Sequence, residues 1–214
     1  LVIIAIDGPA AAGKGTLARR LADRFRLAFL DTGRLYRAVG VKLARSGLDV
    51  SDVETAVALA SEVTAADLDD QELKSEAAAN AASRVAAMPE VRAALVDFQR
   101  AFASNPPGGA MGAVLDGRDI GTVICPDADV KLFVTARIEV RARRRVKELR
   151  ERGLEAIYDR VLHEMKERDA RDSERHVSPL VPAEDSFVID TSDLDVTAAL
   201  VAAVKYVSSR KLSG

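Results

Sequence analysis

Residues 6–17 read IDGPAAAGKGTL. Gly8 is followed, after four residues, by Gly13-Lys14, the spacing of a loop that wraps backbone N–H groups around a phosphate chain. Glycines serve where the backbone must turn inward and approach anionic oxygens closely, and the lysine supplies a mobile charge for the β and γ phosphates. Gly8, Pro9, Ala10, Ala11, Ala12, Gly13, Lys14, Gly15 and Thr16 are therefore the expected grip on a nucleoside triphosphate. The residue after the lysine narrows what happens to it. In hydrolytic switches and most motors that residue is a Ser or Thr that ligates magnesium. Here it is Gly15, and the hydroxyl comes one residue later at Thr16. A metal would rest mostly on phosphates and water, with Thr16 or Asp116 as the protein groups within reach. A guanine-reading Asn-Lys-x-Asp stretch does not occur in the chain.

Such a loop needs a strand before it and a helix after it. LVIIAID is a continuous β-branched run, the mark of a strand buried on both faces in a parallel sheet. Residues 13–26 place Leu17, Leu21 and Phe25 four apart among charged neighbours, an amphipathic helix opening from the loop. AFLD (28–31) reads as a second strand, and TGRLYRAVGVKLARSG as a helix up to Gly47. From about 48 to 104 the chain is Ala-rich with apolar residues at helical spacing, which predicts two or three helices, Pro89 starting one of them. NPPGGAMG (105–112) is a loop by composition. AVLDG (113–117), VKLFVTA (130–136) and SFVID (186–190) are further strands. Charged helices are expected over 137–152 and 154–172, broken at Gly153, and a last helix over 195–208. Strands alternating with helices predict an α/β sandwich around a parallel sheet.

Composition removes several classes of function. The 214 residues are 48% hydrophobic and 30% charged with a net charge of −2, so long-range attraction to polyanions or membranes is not indicated. Aromatic residues make up 4% and tryptophan is absent, so a stacking platform for single-stranded nucleic acid is poorly supplied. No apolar stretch approaches the ~20 residues of a membrane span, and the N-terminal run stops at Asp7, so it reads as a strand and not a secretion signal. The lone cysteine, Cys125, excludes an internal disulfide and a multi-cysteine metal site; it reads as a small buried side chain compatible with a reducing cytosol. His163 and His176 have no carboxylate or cysteine arranged around them in sequence and read as surface or packing residues.

Two further motifs lie at strand ends, where parallel sheets place ligands: DTGRLYR (31–37) and DGRDIGT (116–122). A third, ERDARDSER, spaces Arg168, Arg171, Asp172 and Arg175 at 0, 3, 4 and 7, on one helical face. Taken alone that stripe is a solvated helix laced with ion pairs. Together with GPAAAGKGT, however, these motifs resemble the bacterial cytidylate kinases, nucleoside monophosphate kinases of the P-loop class. The resemblance extends over nearly the whole chain, through NAASRVAAMPEVR (80–92) and KERDARDSERHVSPLVP (166–182).

The resemblance implies ATP-dependent phosphorylation of CMP and dCMP, with Mg2+ as cofactor, in a monomer of the cytoplasm that acts on small molecules and binds neither nucleic acid polymers nor membranes. The implied fold is a five-stranded parallel sheet flanked by helices. Residues 1–47 and 105–214 would form the core, 48–104 a helical monophosphate-binding insertion, and roughly 145–165 a helical lid. CMP would meet Asp31, Thr32, Arg37, Ser83, Arg92, Arg118, Asp119, Arg168, Asp172 and Arg175; the catalytic groups would be Lys14, Arg118, Arg168 and Arg175. Asp119 and Arg92 would read cytosine with help from the Ser83 hydroxyl, since cytosine offers an amino donor beside two acceptors. Arg37 and Arg118 would hold the acceptor phosphate, Arg168 and Arg175 the transferring phosphoryl group, and Asp172 the ribose. Asp31 and Asp116 end their strands beside the cradle and could orient lysine or metal-bound water; Tyr36 is expected to pack or hydrogen-bond locally. The arginines of 141–152 are expected mostly as surface charge, with one lying over the adenine.

Two departures from the family pattern stand out. Ala10 and Ala11 replace the usual Ser and Gly, and the 48–104 segment is short and helical where many members insert a small sheet. A sibling kinase acting on UMP, AMP or shikimate is the alternative, and a nucleotide-binding switch that transfers nothing is a third. The cytosine-reading pair argues against the first; Gly15 and the acceptor-side arginines argue against the second.

Overall fold

Strands form on short, mainly apolar runs, the most β-branched of which is VIIAID. In the computed structural model, which describes residues 1–47 and 52–210, they are β1 (Val2–Asp7), β2 (Ala28–Asp31), β3 (Gly112–Gly117), β4 (Val130–Thr135) and β5 (Phe187–Asp190). They make one five-stranded sheet in the order β2-β3-β1-β4-β5. The pairings of β1 with β3, β1 with β4 and β4 with β5 are parallel, with Asp7 opposite Gly117 and Phe133. All of β3 and the last four residues of β1 are buried, as their apolar runs require. This order flanks β1 with strands that come later in the chain. The loops after β1 and β3 therefore open side by side at the C-terminal edge, the position where such sheets bind ligands.

The helices are α1 (Lys14–Phe25), α2 (Thr32–Arg45), α3 (Val53–Ser61), α4 (Glu76–Val85), α5 (Pro89–Ser104), α6 (Ile138–Glu151), α7 (Tyr158–Glu174) and α8 (Val196–Ser209). Two compact units divide the chain: Leu1–Leu30 with Ala103–Gly214, and Asp31–Phe102. In the first, Leu17 and Leu21 of α1 and Ala203 and Val207 of α8 pack with Ile4, Ile6, Val114, Leu132 and Val134 of the sheet. The predicted stripe on α1 is thus real: Leu17 and Leu21 are fully buried, and Phe25 packs at the margin. Arg26, in the left-handed region at φ 55°, ends that helix while the Leu27 N–H donates to Ala22 O at 2.9 Å.

The second unit holds α2 to α5 with two 3₁₀ turns, Ala65–Asp69 and Gln71–Lys74; in the described part of 48–104, where the sequence predicted two or three helices, the α-helices are α3, α4 and α5. α2 packs on α3 and α4, and a Cβ on Gly40 would come within 2.7 Å of Ala81 Cβ, so α2 and α4 meet through small residues. Asp52 and Ser75 cap α3 and α4 by accepting from the N–H groups of Thr55 and Ala78. Pro89 begins α5 as expected. The expected start of the insertion at residue 48 lies outside the described residues.

One helix start differs from the sequence reading, and one turn forms where that reading assigned no element. α7 starts at Tyr158, four residues later than predicted, because Leu154 folds back to donate its N–H to Leu149 O and Ile157, just before the helix, is extended. Residues Ile120–Ile124 wind into a π-helical turn directly after β3, closed by Cys125 N–H to Ile120 O at 2.7 Å. Among the described residues no helix is long and apolar enough to cross a membrane.

Candidate active site

The glycine loop leaves β1 pressed against β4. A Cβ on Gly8 would lie 1.9 Å from Val134 O, inside any contact distance, and Gly8 has φ 146°. Only glycine lets the loop depart there. Gly13 caps α1, so Lys14 is the first residue of that helix, and its side chain is buried against Asp116 at the end of β3, 2.8 Å away. This pair accounts for the unusual glycine after the lysine. A Cβ on Gly15 would stand 3.2 Å from Asp116 Oδ2, so any side chain there presses on the carboxylate that aligns Lys14. Thr16 is exposed in the first turn. Among the described residues no group of three His, Cys, Asp or Glu could hold a metal.

Asp7, the last residue of β1, has a part the sequence reading did not give it. It is 5% exposed, and its two oxygens accept from the N–H groups of Ile120 and Gly121, each at 2.8 Å. The carboxylate therefore pins the start of the π-helical turn, of which Asp119 is the first flanking residue. Burial raises its pKa to about 6 and Asp119 adds to that, while the two N–H bonds and Lys14 pull the other way. The sequence signal was a single acid closing an apolar strand. Asp119 is itself buried, and Gly121 runs against the stem of buried Lys131, which pairs with Asp185 at 2.9 Å.

The stripe on α7 divides by depth. Arg171 is exposed, whereas Asp172 is buried and accepts from Arg118 Nε at 3.0 Å. Burial opposes the ionisation of Asp172, but the charges of Arg118, Arg168 and Arg175 outweigh it and hold its pKa below the usual carboxylate range. Arg175 caps the C-terminus of α7 and donates to Ser178 O. Arg118, Arg168, Asp172 and Arg175 thus form one electrostatic group in the first unit, at the end of β3.

Two arginines of α6 turn inward, unlike the surface charge expected for most of that helix. Arg141 is 5% exposed; it donates to Ala136 O at 2.9 Å and Ala10 O at 3.2 Å, and pairs with both oxygens of Asp169. Arg144 donates to Thr191 Oγ1 and Thr191 O, and that hydroxyl lies 2.8 Å from Ala12 O. Ala11 has φ 57°, and it packs against the apolar cluster that joins α6 to α7 around Val146, Leu149, Val161 and Met165.

The second unit carries the remaining predicted residues. Asp31 precedes α2, whose first residue, Thr32, is buried. Arg37 of α2 donates to Leu73 O at 2.9 Å. Ser83 of α4 and Arg92 of α5 are buried; Arg92 donates to Ala86 O, and its guanidinium lies 5.3 Å from the centre of the Tyr36 ring. Tyr36 therefore packs locally. His163 is exposed, 3.4 Å from Glu167, His176 is exposed, and Cys125 is buried.

A parallel α/β sheet, a glycine loop opening a helix at a buried lysine, and arginines gathered at the next strand end define a P-loop kinase of a small acceptor. The chain belongs to the cytidylate kinase family, whose model matches residues 4–209. It is 62% identical over 209 residues to the cytidylate kinase of Paramagnetospirillum magneticum, covering 98% of this chain and 99% of that protein. The cytidylate kinase of Rhodospirillum rubrum is 58% identical over 203 residues, 95% of each chain. Among solved structures, shikimate kinase from Bacteroides thetaiotaomicron superposes with a TM-score of 0.50 at 14% identity, over 97% of both chains. An uncharacterized protein from Eubacterium ventriosum reaches 0.57 at 16% identity, over 98% of this chain and all of the other. These two likenesses concern the fold alone.

Proposed function

We propose that the protein transfers the γ-phosphoryl group of ATP to CMP and dCMP, giving CDP and dCDP. The observation that carries this reading is the family match along nearly the whole chain. The cradle supplies inward N–H groups, the positive end of α1 and the Lys14 ammonium to the β and γ phosphates. Mg2+, where bound with ATP, would supply neutralising charge to those phosphates. The Thr16 hydroxyl and the Asp116 carboxylate are the oxygen groups that would hold it or its water.

Base choice rests on Asp119 accepting from the cytosine amino group, and on Arg92 and Ser83 donating to the ring acceptors. Asp119 is 4% exposed, so uracil would set a carbonyl against a buried carboxylate and leave it unsatisfied. Asp31 and Thr32 stand at the start of α2 as further CMP contacts. Arg37 and Arg118 hold the acceptor phosphate by their guanidinium forks, and Asp172 meets the ribose. Arg168 and Arg175 stabilise the charge that spreads over the equatorial oxygens in the transition state. No general base is required, because a monophosphate oxygen is already ionised at neutral pH. Catalysis is positioning plus electrostatics.

Residues 1–47 and 105–214 serve as the kinase core in this reading, 48–104 as the monophosphate-binding insertion and 145–165 as the lid. The protein works as a cytoplasmic monomer. A coupled assay for ADP release with CMP, dCMP, UMP, AMP and shikimate tests the reading. Turnover with CMP and dCMP well above the rest is expected; equal rates with CMP and UMP overturn the base assignment. Arg118→Ala is expected to lower kcat on the order of 10²-fold or more, and near-normal turnover removes Arg118 from the site.

A further inference from the structure

A left-handed backbone at a residue with a Cβ costs about 1–2 kcal/mol, and it persists only where neighbouring groups over-determine it. Ala11 has that conformation at the crown of the glycine loop. Three contacts fix it. The carbonyl before it, Ala10 O, accepts from Arg141 Nη1; the carbonyl after it, Ala12 O, lies 2.8 Å from the Thr191 hydroxyl; and its methyl packs into the α6–α7 cluster.

The peptide bond is planar and trans, so its N–H points away from its C=O. A carbonyl held by a side chain on one side of the loop sends the following N–H to the other side. Arg141 thereby sets the direction of the Ala11 N–H, and Thr191 that of the Gly13 N–H. Arg141 is itself held from two more sides, by Ala136 O at the end of β4 and by Asp169, the neighbour of Arg168 on α7. The carboxylate of Asp169 neutralises the guanidinium, so Arg141 acts on the loop through geometry more than through net charge.

We infer that Arg141, locked by Asp169, is a positioning residue for the triphosphate. It holds the Ala10–Ala11 peptide so that the Ala11 N–H faces the phosphates, and so maintains a cradle built with alanine in place of glycine. The inference rests on the reading of residues 8–16 as the phosphate grip.

Titration of the full chain with a non-hydrolysable ATP analogue, and separately with CMP, tests it. Arg141→Met fills the volume without any of the bonds and is expected to weaken analogue binding about tenfold or more and to raise the KM for ATP. CMP affinity should stay within about twofold. Asp169→Asn leaves both carbonyl bonds of Arg141 in place and should lose less analogue affinity than Arg141→Met. If Arg141→Met does not fold, Arg141→Lys replaces it: one ammonium cannot serve both carbonyls and Asp169, so analogue binding should still weaken selectively. Unchanged analogue binding in a folded variant overturns the inference, as does an equal fall in CMP and analogue affinity with a lower Tm, the mark of a merely structural role. Wild-type protein that binds CMP but not the analogue overturns the cradle reading itself.

Discussion

Two sets of charges differ in depth: a buried set in the first unit, and an exposed set that laces the second unit and also, through pairs such as Arg137–Asp193 and Arg160–Glu164, the surface of the first. In the first set, charged side chains are buried and aimed at backbone: Asp7 on the N–H groups of Ile120 and Gly121, and Arg141 on the carbonyls of Ala10 and Ala136. Its Lys14–Asp116 pair is likewise buried. In the second, Arg45 spans Asp70 and Glu72, and Lys42 meets Asp67, with side chains a quarter to a half exposed. Distances differ little between the sets, so distance does not separate them. Burial does. A charge removed from water is costly unless its partners are fixed, and once fixed it holds them in turn. A charge left in water is screened and constrains almost nothing. The buried set surrounds the glycine loop and the turn after β3; the exposed set lies on helix surfaces and loops in water. Arg92 is the exception in the second unit, buried over Tyr36, and it is also a predicted substrate residue.

The largest expected effect is on Asp7. Its folded pKa of about 6 lies above the unfolded value of 3.8. The stability this group contributes is therefore fully present below pH 3.8 and is lost as the pH rises through about 6. At 1.36 kcal/mol per pKa unit the full swing is about 3 kcal/mol. Asp7→Asn removes the titration and sets an amide N–H2 against one of the two backbone donors. The difference in unfolding free energy between wild type and variant, followed from pH 4 to pH 7, should fall by an amount of that order. A flat difference would detach Asp7 from the buried set.

Gly15→Ala is expected to act more gently, through a single contact. The new methyl meets Asp116 Oδ2 at 3.2 Å, and the carboxylate must give by a few tenths of an ångström. The Lys14 ammonium, 2.8 Å from Asp116, moves with it. A rise of about tenfold in the KM for ATP, or about 1.4 kcal/mol, is expected, with Tm little changed. An unchanged KM would show that the Lys14–Asp116 pair does not set the grip on the triphosphate.

What the sequence revealed and what it hid divide along the same line. β1, β3 and β4 were legible because buried parallel strands are short, nearly continuous apolar runs, and α1 because Leu17 and Leu21 repeat at helical spacing. The glycine loop was legible because Gly8 is forced by sterics and Gly13 by its left-handed backbone, while Gly15 leaves room for the Asp116 carboxylate. Asp7 and Arg141 were not, since their partners are backbone atoms 113 and 131 residues away, and a carbonyl or an N–H has no identity in a sequence. The π-helical turn was hidden for another reason: IGTVI is β-branched, and local propensity points to a strand. The stripe on α7 gave spacing but not depth, which is set by what packs over it; hence Arg171 is exposed while Asp172 is buried.

Lys42→Ala gives the smallest effect and the sharpest control on the comparison. Lys42 meets Asp67 at 3.0 Å, a distance close to the 2.8 Å of Lys14 and Asp116, but the two side chains keep 24% and 26% exposure. The Asp67 carboxylate does not depend on the lysine, because it also accepts from the Thr64 N–H and hydroxyl in a capping box. With its lysine gone, Asp67 remains hydrogen-bonded and partly hydrated, so no buried charge is stranded. The expected cost is about 0.5 kcal/mol, read as a shift of only a few degrees in Tm and diminishing further in high salt. Kinetic constants for ATP should not change. A loss approaching the pH-dependent swing expected for Asp7 would mean that burial is not what separates the two sets of charges.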